Sequence, residues 1–232
     1  MLKFDACTID NGGFLLHADL SIETGRIVAV IGPSGGGKTT LLEGVAGFLP
    51  LTSGEITWNA TPLSGTEPGQ RPVAMLFQDG NLFPHLTAAQ NVGLGLDPRL
   101  RLSPEDKARI DAALTRVGLD GLGPRKPGAL SGGQRARVAL ARLMVQDRRI
   151  FLLDEPFAAL GPALKAEMLD LVAELARETG ATVLMVSHEP DDARRVADEV
   201  ILVTGGKAHP PAETDRLFAD PPEALRAYLG DA

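Results

Sequence analysis

Gly32-Pro33-Ser34-Gly35-Gly36-Gly37-Lys38-Thr39 lies between an aliphatic run, Arg26–Ile31, and a segment in which Leu41, Leu42, Val45, Ala46 and Leu49 recur at helical spacing. No other segment limits the fold as strongly. A buried strand that turns through glycines directly into a helix belongs to an α/β layer architecture. The residue pattern is that of a phosphate-binding loop. Its glycines let successive backbone N–H groups close on phosphate oxygens, and the helix start adds roughly half a positive charge at the same point. Lys38 supplies a full cation for β- and γ-phosphates, and the Thr39 hydroxyl is placed to bind Mg²⁺. Gly32, Pro33, Ser34, Gly35, Gly36, Gly37, Lys38, Thr39 and Thr40 are therefore the candidate nucleotide-binding residues.

The rest of the chain is consistent with that frame. Four further aliphatic runs, Val73–Phe77, Ile150–Asp154, Thr182–Ser187 and Glu199–Val203, read as strands buried on both faces, as in a parallel sheet. Near the N-terminus, Phe14, Leu16, Leu20 and Ile22 fall on even positions, which predicts a half-exposed antiparallel strand with Gly54–Asn59 as its companion. Ser103 and Pro104 predict a capped helix start, followed by the stripe Ile110, Ala113, Leu114 and Val117. Leu164, Met168, Leu171, Val172 and Leu175 predict another helix, ending before Gly180. Residues 61–72 and 118–128 are Pro/Gly-rich loops. With 232 residues, 44% hydrophobic and only 4% aromatic, the chain suits one aliphatic α/β domain. A net charge of −7 argues against a broad nucleic-acid surface. The lone Cys7 allows neither a disulfide framework nor a CxxC metal site. No apolar run approaches the ~20 residues of a membrane span, so any membrane role must come from a partner chain.

Two further motifs carry chemistry. The run Ile150-Phe151-Leu152-Leu153 ends in Asp154-Glu155. Asp154 is placed to hold Mg²⁺ through water, and Glu155 to polarise the attacking water. Leu130-Ser131-Gly132-Gly133-Gln134 precedes a helix bearing Val138, Ala141 and Val145. Ser131 can cap that helix, and its glycines expose the first amides. The chain thus holds a second anion site, which makes sense for the same γ-phosphate only if it acts across a dimer.

The order of these motifs resembles the ABC ATPases, whose signature the LSGGQ run matches. Gln78 resembles the family's Q-loop glutamine, a Mg²⁺ and water ligand at the permease contact. His188 resembles the switch histidine that contacts the γ-phosphate. The resemblance, which runs to about Lys207, implies one ABC ATPase domain over residues 1–232. It implies a P-loop core with a mostly parallel sheet, an antiparallel β subdomain and a helical signature-motif subdomain over about residues 79–147. It also implies ATP and Mg²⁺ as ligands. Two nucleotides would be sandwiched in a homodimer of cassettes, each P-loop facing the partner copy's signature serine, glycine and glutamine, which in this numbering are Ser131, Gly133 and Gln134. Two positions depart from the family pattern. The D-loop run Ala158-Ala159-Leu160-Gly161 ends in glycine instead of aspartate, and Phe14 is the one aromatic near the adenine-stacking position.

Exporters commonly fuse cassette and permease; translation and DNA-repair members carry a second cassette or long coiled coils; longer sugar-importer subunits carry a regulatory domain. None of these features is present. The resemblance therefore leads to the expectation of a compact bacterial importer subunit, peripheral on the cytoplasmic face of the inner membrane, with a transmembrane permease and, indirectly, a periplasmic solute-binding protein as partners. The segments Arg71–Gln78, Asn81–Thr87 and Ala89–Leu96 resemble the thiamine-importing branch, with iron(III), polyamine and sulfate importers as sister families and a cytosolic, non-transport ATPase as a further alternative. Other P-loop classes fit less well: no Asn-Lys-x-Asp guanine motif is present, and a nucleotide kinase has no need of LSGGQ. Leu82, Phe83 and Leu86 are expected to form a socket for a permease helix.

Overall fold

The computed structural model describes residues 1–77 and 80–229. The N-terminal third contains β1 (Leu2–Asn11), β2 (Phe14–Ile22), β3 (Ile27–Ile31), α1 (Lys38–Ala46), β4 (Leu51–Trp58), β5 (Thr61–Pro62) and β6 (Val73–Leu76). Three helices follow: α2 (Ala88–Gly93), α3 (Pro104–Arg116) and α4 (Gly132–Met144). The remainder runs β7 (Ile150–Asp154), α5 (Pro162–Thr179), β8 (Thr182–Val186), α6 (Pro190–Val196), β9 (Glu199–Thr204), β10 (Lys207–Ala208), β11 (Ala212–Glu213), α7 (Thr214–Ala219) and α8 (Glu223–Leu229).

The sheet order is β5-β4-β1-β2-β10-β9-β3-β8-β7-β6, with β11 paired to β9. From β9 to β6 all pairings are parallel. β1, β2, β4 and β5 form an antiparallel arm. Short β10 joins the two parts, parallel to β2 and antiparallel to β9. The five aliphatic runs therefore form the parallel core, and their period of two explains why. Ile150 and Leu152 of β7 and Leu184 and Val186 of β8 face the α1 side with the antiparallel arm. Phe151, Leu153, Val183 and Met185 face the opposite side with α4 and α5. A strand with both faces covered needs apolar residues at every position.

The antiparallel arm is richer than its sequence pattern. Even positions Leu16, Ala18, Leu20 and Ile22 of β2 are buried, as the alternation requires. β1 is a full partner with its own buried face, interrupted by a bulge between Phe4 and Cys7. That bulge breaks the period, so the strand is hard to read from sequence.

Helices α2, α3 and α4 pack around their own cluster, with Ala88, Val92, Ile110, Leu114, Val117, Val138 and Ala141 buried. Ser103 caps α3 in a reciprocal box with Asp106, and Pro104 begins the helix as its fixed φ permits. Among the described residues no helix is long and apolar enough to cross a membrane.

Candidate active site

Parallel strands place functional loops at their carboxyl ends, where a crevice forms between flanking helices. Register brings four such ends to one level. Leu76 pairs with Leu153, Asp154 with Val186, and Val186 with Val30. The residues next in the chain are Phe77, Glu155, Ser187 and, after Ile31, Gly32. The sheet thus gathers into one rim the motifs that the sequence scatters over some 150 positions. Gln78, the residue after Phe77 in the chain, lies outside the described residues.

The glycine loop is built by close approach. At Gly32, φ is 147°, and a Cβ would lie 2.0 Å from the Val203 carbonyl oxygen of β9. Only glycine can pass there. Gly37, at φ 105°, then caps α1 without a side chain, leaving the first amides of the helix facing the cleft. Lys38 is buried, and its ammonium donates to the carbonyls of Gly32 (2.8 Å) and Pro33 (3.0 Å), spanning the loop. Burial holds this ammonium below its ordinary range, against the opposing pull of Glu155 and Asp154. A desolvated cation ringed by open amides is what a polyphosphate needs. Ser34, Gly35, Gly37, Lys38, Thr39, Thr40, Glu155 and His188 line one open cleft of 490 Å³ with Asn11 and Phe14. Phe14 serves both readings of its position: it lines the cleft and packs partly on the core.

The Thr39 hydroxyl donates to Asp154 Oδ1 at 3.3 Å across the cleft floor. Burial raises Asp154 above the usual carboxylate range; the Thr39 hydrogen bond opposes this, and the charge of Glu155 adds to it. A hydroxyl oxygen beside an under-solvated carboxylate fits a small divalent cation. Glu155 itself has φ 47°, the left-handed region that costs a side-chain-bearing residue about 1–3 kcal/mol. Its amide donates to the Val186 carbonyl, which pins the turn. The strained backbone sends the carboxylate to His188 Nε2, 2.5 Å away. An ionised carboxylate only accepts, so Nε2 carries the proton in that contact.

His188 stands on a braced turn. Ser187 Oγ donates to Asp192 Oδ2 and accepts from the Glu189 amide. Lys165 of α5 bridges Glu189 (2.9 Å) and Asp192 (2.6 Å). None of these supports carries a motif, so sequence reasoning passed over them; the helical face that Lys165 shares with Met168, Leu169 and Val172 was the one available signal.

The signature run is elsewhere. Ser131 caps α4, accepting from the Gln134 amide at 3.2 Å, while the Gln134 side chain accepts from the Ser131 amide at 2.9 Å. A Cβ on Gly133 would sit 2.3 Å from Leu164 Cδ2, so glycine here lets α4 approach α5 closely. Gly132 lines a separate cleft with Leu76, Gly80, Ala136, Pro156 and Leu160. Ser131, Gly132, Gly133 and Gln134 are absent from the lining of the Lys38 cleft.

The loop before α2 is held by two groups that its sequence does not advertise. Asn91 is fully buried; its Oδ1 accepts from the Phe83 amide, and its Nδ2 donates to the carbonyls of Phe83, Leu86 and Thr87. Arg142 of α4 donates to Gly80 and Asn81 carbonyls at 2.7 and 2.8 Å. Leu82 packs between two core clusters, so it is support more than socket. Phe83 is about half exposed, as is Phe48, which stacks on Phe77.

The model of the family described as ABC transporter matches residues 15–158, well over half of the chain. This chain belongs to the ABC transporter ATPase family. Curated ABC relatives match over nearly the whole length. The thiamine import ATP-binding protein ThiQ of Ruegeria sp. (strain TM1040) is 60% identical over 230 residues, covering 99% of this chain and 100% of that protein. ThiQ of Cereibacter sphaeroides is 61% identical with the same coverage, and ThiQ of Brucella suis is 51% identical over 95% of this chain and 92% of its own. Among solved structures, the ATP-binding cassette MJ0796, a dimer bound to ADP and Pi, superposes with a TM-score of 0.80 at 29% identity, covering 92% of this chain and 99% of that one. The α/β core, antiparallel arm and helical unit of this ABC ATPase are thus the expected ones.

Proposed function

We propose that the chain is the ATP-hydrolysing subunit of a bacterial thiamine importer, acting as a pair of cassettes on the cytoplasmic face of the inner membrane beneath a permease. The observation that carries this reading is the separation of two anion sites. The Lys38 cleft gathers the P-loop, Glu155 and His188, with Asp154 bonded to Thr39, while the helix start capped by Ser131 lies outside it. Two copies arranged head to tail would set each Ser131 helix start over the partner's cleft, closing two ATP molecules between them.

In that arrangement Lys38 and the amides from Ser34 to Thr40 hold the phosphates. Thr39 and Asp154, with Gln78 after β6, hold Mg²⁺, which when bound offsets phosphate charge. Glu155 accepts a proton as water oxygen attacks the γ-phosphorus, and the bond to the β-bridging oxygen breaks to leave ADP and phosphate. His188, on the same carboxylate, orients Glu155 or turns its Nε2–H to a γ-phosphate oxygen. Ser131, Gly132, Gly133 and Gln134 serve the partner's nucleotide.

The unit around α2, α3 and α4, about residues 79–147, carries the permease contact. Exposed Phe48, stacked on Phe77, and exposed Phe83 offer a permease helix apolar surface. The solute comes from the ThiQ relatives, and no residue of the cassette needs to touch it. A periplasmic binding protein would deliver it to the permease from the other side.

The test is uptake. A strain lacking the gene should lose high-affinity uptake of labelled thiamine and regain it with the wild-type chain but not with Lys38→Ala. Iron(III), sulfate and polyamine uptake should stay intact. Loss of one of those with thiamine uptake unchanged would refute the solute.

A further inference from the structure

The last described helix touches the active-site rim. Leu225 of α8 is fully buried against Ala29, Ile31, Ala193, Val200 and Leu202, which docks α8 beside β3 and β9. Tyr228 is three residues on, so it rises from the same face one turn later. Its phenol oxygen donates to the carbonyl oxygen of His188 at 2.7 Å.

That contact adds to a braced turn a bond to the His188 peptide itself. Ser187, Glu189 and Asp192 are tied to one another and to Lys165. The His188 side chain is 41% exposed and meets Glu155 through Nε2 alone. With that much of the side chain exposed, the peptide plane that Tyr228 holds helps set the direction of the imidazole.

We propose that Tyr228 is a positioning residue for ATP hydrolysis, clamping the His188 peptide so that the imidazole stays aligned with Glu155. The inference rests on the roles given above to His188 and Glu155. The phenol is a dependable donor: burial, and after it the charge of Glu155, push its ionisation above the ordinary tyrosine value. It therefore stays protonated wherever the enzyme works. The helix that carries it belongs to none of the motif-bearing segments, so the site extends to the far end of the chain.

Tyr228→Phe removes the O–H and leaves the ring packed. In the full chain, single-turnover and steady-state ATP hydrolysis should show kcat reduced about three- to tenfold, the worth of one neutral hydrogen bond. KM for ATP should not change, and the melting temperature should fall by no more than the roughly 2–4 °C that one hydrogen bond is worth. In a His188→Ala background the same substitution should have no further effect, because the phenol acts through His188. Wild-type kcat in Tyr228→Phe would overturn the proposal, as would a loss that persists beside His188→Ala. A fall in melting temperature that accounts for the lost activity would overturn it too. Full activity in His188→Ala would remove the underlying reading of the site, and the clamp with it.

Discussion

Replacing Gly161 by aspartate restores the acid that the family usually carries in its D-loop, and the structure gives the sign of the stability change. Gly161 has φ −66° and ψ 156°, ordinary extended backbone. A Cβ there would meet no atom within 4 Å. The residue is the N-cap of α5, with no side-chain cap bond and no acid in the first helical turn. Three gains follow. An aspartate N-cap exceeds glycine by a few tenths of a kcal/mol. A carboxylate at a helix N-terminus contributes roughly 0.3–1 kcal/mol. Lost freedom of glycine in the unfolded chain adds about 0.4–1 kcal/mol. These overlap, so about 1 kcal/mol is expected in all, a rise of roughly 2–4 °C in melting temperature for a chain of this size. Thermal melts of the nucleotide-free chain read this directly. In the assembled transporter the added carboxylate should also tighten coupling between the two sites, raising the Hill coefficient for ATP toward the ceiling of about 2. A lower melting temperature would refute the N-cap reasoning. Identical rates and Hill coefficients would show that position 161 has no coupling role.

Lys38→Ala should abolish hydrolysis and weaken ATP binding while the fold persists, as read by isothermal titration and circular dichroism; near-normal turnover would sink the P-loop assignment. Asp154→Asn should stabilise the metal- and nucleotide-free chain near neutral pH while stopping hydrolysis. The sign follows from the carboxyl's raised ionisation: the native state pays for the buried charge at pH values above its ionisation range. Below the unfolded value both states are neutral, so the mutant's advantage in urea melts should shrink as pH falls through the carboxylate range. Asn91→Ala strips partners from four backbone groups and should cost about 1–3 kcal/mol in urea unfolding. It should loosen permease binding more than ATP binding, since the loop it holds borders Phe83.

The parallel core was legible because burial on both faces leaves unbroken aliphatic runs, and each of the five runs became a strand. The site's motifs were legible because phosphate binding at a strand-helix turn demands glycines at fixed spacing. Supports were less so. The β1 bulge hid a strand by breaking its alternation. Asn91, Arg142, Lys165 and Tyr228 act through backbone groups or ion pairs, which impose no pattern on neighbouring residues. Leu82 and Phe83 are adjacent and similar in chemistry, yet one is packed and the other half exposed. Their difference is set by the turn that Asn91 holds, which no local pattern encodes.

The central claim, that one chain holds two half-sites that only a second copy can complete, is tested most directly with Glu155→Gln. The amide keeps the shape of the side chain but is a far poorer proton acceptor, so ATP should bind and persist. Size-exclusion chromatography with light scattering, in ATP and Mg²⁺, should then show a dimer that ADP does not support. Adding Ser131→Arg, which fills the signature helix start, should return the protein to monomer with ATP still bound. A Glu155→Gln chain that stays monomeric with ATP bound, even at high protein concentration, would contradict the account.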